Sequence, residues 1–369
     1  MDIEGSSPGD DLNERFGGTI APDERYQMDE AALAAYLRGT VESFKGPIRI
    51  EQFKGGQSNP TFLLETPGRK YVMRRKPPGR LLPSAHAVDR EYRIIDALSG
   101  TDVPVPHVHC LCEDENIIGS AFYIMDFVEG RTFWNPAAAG GSAAERTRIF
   151  DEMNGVLAAL HGVDYVALGL ADFGKPGDYF SRQIARWTKQ YRASEAESIE
   201  AMNQLIEWLP AHIPSKDETS LVHGDYRLDN LIFHPTEARI LAVLDWELAT
   251  LGHPLADLSY HCMIWHLPAG VERGLGTADL AASGIPTESD YIATYCRRTR
   301  RTEIDPAHWS FCIIYNLFRA AAISQGILGR VREGTAASAH AAEAGKIARR
   351  FAERAWEKVE DAERAGQIQ

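Results

Sequence analysis

The stretch formed by residues 221–258 constrains the fold of this chain more than any other. It alternates short apolar runs with polar loops, which predicts strand, loop, strand, turn and strand. Asp225 follows the first apolar run, Asn230 lies beyond it, and Asp245 comes directly after the last run. Carboxylate and amide oxygens that tight backbone holds together suit Mg²⁺, which shares its shell with water and substrate phosphates. The stretch therefore predicts a metal site with one carboxylate left for proton transfer.

The composition of the chain sets limits on its function. A length of 369 residues suits one large or two medium domains, and 44% hydrophobic with 25% charged residues is typical of a soluble globular enzyme. The net charge of -13 argues against a nucleic-acid partner, because phosphate backbones need a basic face. The five cysteines lack the spacing of a disulfide framework or a zinc site. With no signal peptide visible at the N-terminus, we expect a cytoplasmic protein.

The N-terminal part of the chain changes its hydrophobic period twice. Residues 1–25 show no apolar period and are predicted to form a mobile tail. Helical spacing of apolar residues over 29–44 predicts a helix, and a period of two over 48–75 predicts three strands joined by turns. A further strand runs into a polar segment near Val128, where we expect a domain boundary. Residues 26–128 are thus predicted to form a small antiparallel sheet with one or two helices.

A glycine pair lies between the first two of these strands. Gly55 and Gly56 could let the backbone approach a ligand closely, while Ser58 and Asn59 offer donors to phosphate. A Gly-Gly pair is more often only a hairpin turn, and the stretch lacks the GK[ST] ending of a Walker loop. On its own this segment is weak evidence for a phosphate site.

The third strand carries a cation that needs a partner. Alternation places Val72 and Arg74 on one face of the strand, with Met73 and Arg75 on the other. Candidate partners of Arg74 are nucleotide phosphates and Glu91 in the following helical stretch. The alternative interpretation is a solvated basic strand end.

The part of the chain beyond Val128 is predicted to be mainly helical. Its most apolar helix, predicted over residues 308–328, is interrupted by Asn316, Arg319 and Gln325. We therefore expect a buried core helix and no membrane span. The triplet Asp-Phe-Gly at residues 172–174 follows no apolar strand of useful length and is better explained as a turn.

Several motifs resemble a known family. HGDYRLDN at residues 223–230 resembles the HGDxxxxN catalytic loop of the aminoglycoside phosphotransferase and choline kinase-like superfamily, and Asp245 resembles its metal-binding aspartate. More narrowly, the similarity is to the phosphotransferase domain found alone in bacteria and fused to acyl-CoA dehydrogenases in some eukaryotic proteins. The motifs that carry it are FKGGQSNPTF from Phe53, YVMRRKPPGRLLPSAHAVDREYR from Tyr71 and LDWELATLGHPLADL from Leu244.

The resemblance implies an α+β, two-lobed protein-kinase-like fold that binds ATP in a cleft. The small antiparallel-sheet N-lobe would span residues 26–128 and the mainly helical C-lobe residues 129–369. Asp225 would be the catalytic base, while Asn230 and Asp245 would hold Mg²⁺ against the phosphates. This agrees with the chemistry of phosphoryl transfer, which is mainly positioning and charge neutralisation.

The resemblance also implies a nucleotide site in the N-lobe. Arg74 would stand where kinases usually carry a phosphate-binding lysine, with Glu91 as its partner, and Lys76 is an alternative. The remaining candidate nucleotide-binding residues lie in the glycine turn and at the hinge, where the backbone would bind adenine: Gly55, Gly56, Ser58, Asn59, Asp126, Phe127 and Val128. The absence of an APE-type segment argues against a protein kinase switched by loop phosphorylation.

The acceptor is predicted only as a small molecule with a hydroxyl group. The fused relatives point to a hydroxyacyl-CoA or hydroxy acid, which basic side chains would bind: Arg182, Arg186, Arg297, Arg298 and Arg319. An aminoglycoside or choline-like acceptor would instead need an acidic or aromatic pocket, for which Trp187, Trp246 and Trp265 are candidates. From another class, the chain could be a nucleotide-binding pseudokinase that acts as a partner-binding module. We expect His253 and Asp257 to be scaffolding, and a homodimer is compatible with the sequence.

Overall fold

The structure is a computed structural model that describes residues 17–54, 59–77, 87–195, 197–268, 274–276, 279–332 and 341–368. Gly55, Gly56 and Ser58 of the predicted phosphate turn lie outside the described residues, as do residues 1–16 of the predicted tail.

The chain divides into two compact units. Unit 1 comprises Met1–Val156, Val166–Leu170 and Arg227–Ala249, and unit 2 comprises Leu157–Tyr165, Ala171–Tyr226 and Thr250–Gln369. The lobe boundary expected near Val128 stays a prediction.

Unit 1 is built on an antiparallel sheet. Within the described residues its six strands follow the order β1-β2-β3-β4-β6-β5. They are β1 (Thr19–Ile20), β2 (Arg49–Phe53), β3 (Thr61–Glu65), β4 (Lys70–Arg75), β5 (Val108–Cys112) and β6 (Phe122–Asp126). The pairing of β1 with β2 begins inside the segment predicted to be a mobile tail, so the tail prediction is wrong for Thr19 and Ile20. Their backbone groups extend the edge of the sheet, which a search for apolar periodicity does not detect.

Two helices lie between strands of this sheet in sequence, the first between β1 and β2 and the second between β4 and β5. Helix α1 (Glu30–Thr40) begins at Asp29, whose carboxylate accepts the N–H groups of Ala31 and Ala32, and helix α2 (Val88–Leu98) follows β4. The apolar residues of α1 join a core cluster with one face of the sheet. Tyr71 and Met73 belong to this cluster, so alternation along β4 turns Val72 and Arg74 to the opposite face, as predicted.

The central stretch contains two short antiparallel strand pairs. Strands β8 (Leu231–Phe233) and β9 (Ile240–Val243) pair in unit 1, and β7 (Ser220–Val222) pairs with β10 (Thr250–Gly252) in unit 2. The predicted strand, loop, strand, turn and strand pattern is confirmed, and β10 is added to it. The stretch thus contributes buried apolar residues to both units.

The remaining helices form most of unit 2. Helix α3 (Ala143–His161) is shared by the two units, and the others are α4 (Tyr179–Ala193), α5 (Glu200–Ala211), α6 (Pro254–Cys262), α7 (Leu280–Ser283), α8 (Glu288–Arg298), α9 (Pro306–Arg332) and α10 (Ala341–Arg364). Helix α9 packs against α4, α5, α6 and α10. Its segment Pro306–Gly329 is long and apolar enough to cross a membrane, but 78% of that window is buried inside the protein. This confirms the predicted core helix.

Gly130 provides a test of how the β8–β9 hairpin is attached to unit 1. The neighbouring Arg131 exchanges two backbone hydrogen bonds of 2.8 Å with Phe233, and a Cβ at Gly130 would overlap the Phe233 carbonyl and the Ile232 side chain. We expect Gly130→Ala to lower the free energy of unfolding by about 1–3 kcal/mol, the usual cost of overpacking. Urea denaturation measures the change.

Gly68 is the matched control for that substitution. A Cβ at Gly68 meets nothing within 4 Å, so Gly68→Ala should leave stability within about 0.5 kcal/mol of the original. Equal stability of both variants would contradict the close packing of Gly130.

Candidate active site

An ion-pair cluster around the buried Arg74 in unit 1 brings together four of the predicted site residues. Arg74 Nε lies 2.9 Å from Glu91 Oε2, and an Arg74 terminal nitrogen lies 2.6 Å from Asp245 Oδ1. The side-chain amide of Asn59 donates to Glu91 at 2.6 Å. Lys76, the alternative to Arg74, lies instead 3.8 Å from Asp89. The structure therefore places Arg74 beside Glu91 and Asp245, and Lys76 elsewhere.

Glu247 adds a third carboxylate to this cluster. Its Oε2 atom lies 3.7 Å from the same Arg74 nitrogen that contacts Asp245. Glu247 was not among the site residues predicted from the sequence. The signal that could have identified it is its spacing of two residues from a predicted metal ligand.

Burial and charge act in opposite directions on the central pair. Burial lowers the pKa of Arg74, but Glu91 and Asp245 outweigh it and leave the pKa well above its usual value. Burial raises the pKa of Glu91, and Arg74 is the main opposing influence. Burial has the larger effect and leaves the pKa of Glu91 above its usual value, although Asn59 and Tyr123 also donate to its carboxylate. Arg74 is thus a permanent cation whose partner carboxylate is held in place by two further donors.

The turn after β9 gives Asp245 its position. The N–H of Leu244 donates to the Asn230 carbonyl at 2.8 Å, so the backbones that carry both predicted metal ligands are joined. Asp245 has a left-handed backbone conformation, with φ 66° and ψ 58°. Such conformations are uncommon for residues other than glycine and concentrate at functional sites. The buried Trp246 donates its indole N–H to the Val243 carbonyl and fixes the turn.

The donors at this turn fit a hard divalent cation. Asn230 and Asp245 offer amide and carboxylate oxygens, with the Glu247 carboxylate close by. Over the ranges that the structure covers, no group of three or more His, Cys, Asp or Glu side chains is arranged to hold a metal ion. A cation here would therefore also take oxygens from water or phosphate, which is how Mg²⁺ is usually bound.

The predicted base, Asp225, lies in unit 2 on the loop after β7. Its Oδ1 atom accepts a hydrogen bond of 2.5 Å from the hydroxyl of Tyr260 on α6. Gly224 has φ 82°, a value that glycine adopts without strain, and its carbonyl accepts a hydrogen bond of 2.5 Å from Arg319. Arg319 also lies over the Tyr260 ring, 4.8 Å from its centroid. Tyr260 and Arg319 together fix the loop around Asp225.

Asp257 holds the same loop from the other side. Its carboxylate accepts the backbone N–H groups of His223 at 2.7 Å and Gly224 at 2.8 Å. Burial raises the pKa of Asp257, but the hydrogen bond from His161 and the nearby donors lower it below the usual value. The His223 ring in turn accepts the N–H of Asp225 at 3.1 Å. The expectation that Asp257 is scaffolding for the loop is confirmed.

His161 extends this network into α8. Its Nε2 lies 3.3 Å from Asp257, and its Nδ1 lies 2.7 Å from the hydroxyl of Tyr295. A carboxylate only accepts, so Nε2 carries the proton and Nδ1 accepts from Tyr295 in the neutral ring. His253, the other expected scaffold residue, accepts the N–H of Leu255 at the start of α6, and burial lowers its pKa to about 4.

Sequence reasoning missed Tyr260 and misjudged Arg319. Tyr260 lies three residues after Asp257 on α6, so both project from one helical face, and that spacing could have identified it. Arg319 was a candidate for binding an anionic acceptor, but it is buried and donates to the Gly224 carbonyl. The feature of the sequence that could have indicated its burial is a charged residue within an apolar stretch of helix.

The predicted hinge residues lie at the end of β6 in unit 1. The Asp126 carboxylate is 2.6 Å from both Arg69 and His109 Nε2. The N–H of Asp126 donates to the His107 carbonyl, and the N–H of Phe127 donates to the Lys70 carbonyl at 3.4 Å. A ligand at this segment would therefore have to use the carbonyl groups or the N–H of Val128.

Unit 2 contains a cavity of about 510 Å³ near the end of α6. Its lining combines Trp265 and Phe351 with charged residues of α10, among them Arg350, Arg354 and Glu353. Trp265 was one of the aromatic acceptor candidates. The other two are buried, Trp246 in the turn after β9 and Trp187 beneath Arg319.

Comparison with known proteins identifies the family. The model of the phosphotransferase enzyme family matches residues 49–291, which include the Arg74 cluster and the Asp225 loop. The chain belongs to the phosphotransferase enzyme family. It is therefore a phosphotransferase of the kind that acts on small molecules, as the motifs predicted.

Solved structures and curated relatives agree with this assignment. A Ralstonia eutropha JMP134 protein named as an aminoglycoside phosphotransferase is 57% identical, with a TM-score of 0.82 over 91% of this chain and 99% of that one. An aminoglycoside phosphotransferase APH(4)-Ia structure, 18% identical with a TM-score of 0.57 over 88% of this chain and 98% of that one, shares the fold. The predicted kinase-like α+β fold is confirmed.

The curated relatives are longer proteins. Acyl-CoA dehydrogenase family member 10 of Mus musculus is 48% identical over 333 residues, 89% of this chain and 31% of that protein. Family member 11 of Homo sapiens is 40% identical over 319 residues, 85% of this chain and 41% of that protein. The chain thus spans less than half the length of these relatives.

Asp257→Asn tests the anchoring of the Asp225 loop. An amide has one acceptor oxygen where the carboxylate has two, so one buried backbone N–H would lose its partner. We expect the free energy of unfolding to fall by about 3 kcal/mol at pH 7, measured by urea denaturation. The exposed Glu207→Gln on α5 is the charge-removal control and should change it by less than about 0.5 kcal/mol.

The pH dependence of stability provides a second readout for Asp257. Its pKa is lowered in the folded protein, so its contribution is present above the unfolded pKa of about 4 and is lost as the pH falls through the folded pKa. The free energy of unfolding of Asp257→Asn should therefore fall less than that of the unsubstituted protein as the pH is lowered through this range. An unchanged acid profile would contradict the charged anchor.

Proposed function

We propose that this chain is an ATP- and Mg²⁺-dependent phosphotransferase that moves the γ-phosphate to a hydroxyl group of a small molecule. The observation that carries the proposal is the cluster in unit 1 of the buried Arg74 and Glu91 with the partly exposed Asp245, and the Asn230 backbone is joined to the turn that bears Asp245. A fixed cation beside oxygen ligands is what binding of nucleotide phosphates and a divalent cation requires.

Each residue of the site has a defined task in this proposal. Arg74 contacts the nucleotide phosphates, and Glu91 holds its guanidinium in place. Asn230 and Asp245 hold Mg²⁺, which supplies neutralisation of phosphate charge when it is bound. Asp225 orients the acceptor hydroxyl and accepts its proton, while Tyr260 fixes the rotation of the Asp225 carboxylate through Oδ1.

Two lines of support favour ATP as the donor. A structure of an APH(4)-Ia mutant in complex with AMP-PNP and hygromycin B shares the fold of this chain at a TM-score of 0.56. The segment after β6, whose backbone we propose binds adenine, follows directly on the strand next to β4, which carries Arg74.

For the acceptor we favour a hydroxyacyl-CoA or a hydroxy acid. The support is the 40–48% identity to members of the acyl-CoA dehydrogenase family. Among the arginines considered for binding such an anion, Arg319 and Arg182 are engaged with backbone carbonyls. Arg350 at the cavity of unit 2 is a better candidate, because it lines a space large enough for a small molecule. Arg354 at the same cavity instead donates to the His266 carbonyl and to Glu357.

An aminoglycoside is the second candidate acceptor. It is favoured by the name of the 57% identical Ralstonia eutropha protein. Glu353 and Glu357 also line the cavity and could bind ammonium groups. An ATP-consumption screen over hydroxyacyl-CoAs, hydroxy acids, aminoglycosides and choline distinguishes these classes. Activity on aminoglycosides or choline alone would overturn our preference.

Asp225→Asn tests the catalytic assignment. We expect kcat with the best acceptor to fall by about 100- to 10,000-fold, because the amide cannot accept the hydroxyl proton. The affinity for AMP-PNP, measured by calorimetry, should stay within about twofold. Full ATP-dependent turnover would rule out Asp225 as the base. Nucleotide binding by the unsubstituted chain without turnover on any acceptor would favour a pseudokinase module instead.

Tyr260→Phe tests the positioning of that base. The ring and its contact with Arg319 are retained, and the hydrogen bond to Asp225 is lost. We expect kcat to fall about tenfold while the KM for ATP is unchanged, because an alignment effect acts on the transferring step. Equal changes in stability and in both constants would indicate a purely structural role. Tyr165→Phe, on a residue outside the site, is the matched control.

A further inference from the structure

We propose that Arg74 makes cation binding at Asp245 depend on a bound nucleotide. The guanidinium occupies the Asp245 carboxylate in the nucleotide-free protein and releases it when phosphate arrives. This inference rests on the proposed function, because it assumes that the Arg74 cluster receives a nucleotide and a divalent cation.

The distances show why a cation alone would be disfavoured. An Arg74 terminal nitrogen lies 2.6 Å from Asp245 Oδ1 and 3.7 Å from Glu247 Oε2. Mg²⁺ binds carboxylate oxygen at about 2.1 Å, so a cation on the same oxygen would lie within about 5 Å of the guanidinium. The Arg74 side chain is only 9% exposed, so water screens this repulsion weakly. A metal ion would therefore compete with the Arg74 guanidinium for the Asp245 carboxylate.

The guanidinium can change partner without leaving the cluster. Arg74 uses Nε for Glu91 and a terminal nitrogen for Asp245, so the two contacts are separable. Glu91 is almost fully buried and is also bound by Asn59 and Tyr123, which keeps the Nε contact in place. Phosphate is a strong partner for the outer edge of a guanidinium. A nucleotide would thus draw the terminal nitrogens away and free Asp245 for the cation.

A lysine at position 74 could not hold Glu91 and Asp245 at the same time in this way. An ammonium group is a compact point charge, whereas the guanidinium fork holds two carboxylates at separate positions. Arg74→Lys should therefore weaken the contact with Asp245 while keeping a cation near Glu91. Coupling between two ligands is reciprocal, so the cation should raise nucleotide affinity by the same factor by which the nucleotide raises cation affinity.

The experiment measures Mn²⁺ alone, without nucleotide, by the loss of its free EPR signal. The main variant is the double substitution Arg74→Met with Glu91→Gln, which removes both members of the buried pair and leaves no unpaired charge between them. We expect it to bind Mn²⁺ at least tenfold more tightly than the unsubstituted protein. Its affinity for AMP-PNP in EDTA should fall at least tenfold, so the two ligands respond with opposite signs.

Three further variants secure the interpretation. Adding Asp245→Asn to the double variant should abolish the gained Mn²⁺ affinity, which locates the gain at Asp245. Arg74→Lys, which retains a charge beside Glu91, should give a gain of a few fold and remains informative if the double variant does not fold. Lys76→Met removes a cation from the same segment, one whose partner is Asp89, and should leave Mn²⁺ affinity unchanged.

The possible results separate this inference from the proposed function. Unchanged or weaker Mn²⁺ binding by the double and lysine variants, with AMP-PNP binding intact in the unsubstituted protein, would overturn the inference alone. Failure of the unsubstituted protein to bind AMP-PNP under any condition would overturn both.

Discussion

The site in unit 1 depends on one buried guanidinium. A charged side chain that is removed from water must be paired with opposite charges or hydrogen-bond partners, because the free-energy cost of desolvating an unpaired charge is large. Arg74 satisfies this with Glu91 on α2 and with Asp245 and Glu247 in the turn after β9. One side chain of β4 therefore fixes the positions of a helix and a turn that are far apart in sequence. The pairs that stabilise this arrangement are also those that a phosphate and a cation would rearrange.

The loop that carries Asp225 depends on a buried carboxylate whose partners differ from those of Glu91. Asp257 is as buried as Glu91, but its partners are backbone N–H groups and a histidine instead of a guanidinium. Donors surround it from the loop and from α3, so its charge is stabilised without a neighbouring permanent cation. Arg319 acts on the same loop from α9 through the Gly224 carbonyl. Backbone donors and acceptors of the loop are thus both bound by buried side chains.

The sequence predicted what depends on local pattern. Alternation along β4 assigned Arg74 to the face opposite the α1 core, and the apolar runs of the central stretch predicted its strands. It could not predict which helix would lie against the Asp225 loop, because that contact joins residues far apart in the chain. Arg319 was therefore interpreted as a ligand-binding residue and Tyr260 was missed, although each is explained once α6 and α9 are placed. The burial of Trp246 likewise depends on a turn with a left-handed residue before it.

The division of residues 221–258 between the two units has a consequence for the chemistry. Phosphoryl transfer needs positioning and charge neutralisation more than covalent participation by the protein. Asn230 and Asp245 are fixed by the β8–β9 hairpin within unit 1, whereas Asp225 is fixed by Asp257, Tyr260 and Arg319 within unit 2. Substitutions in the helices of unit 2 can therefore alter what lies near the cavity of α10 without changing the partners of Arg74. A fold arranged in this way can keep the Arg74 cluster unchanged while the lining of that cavity varies.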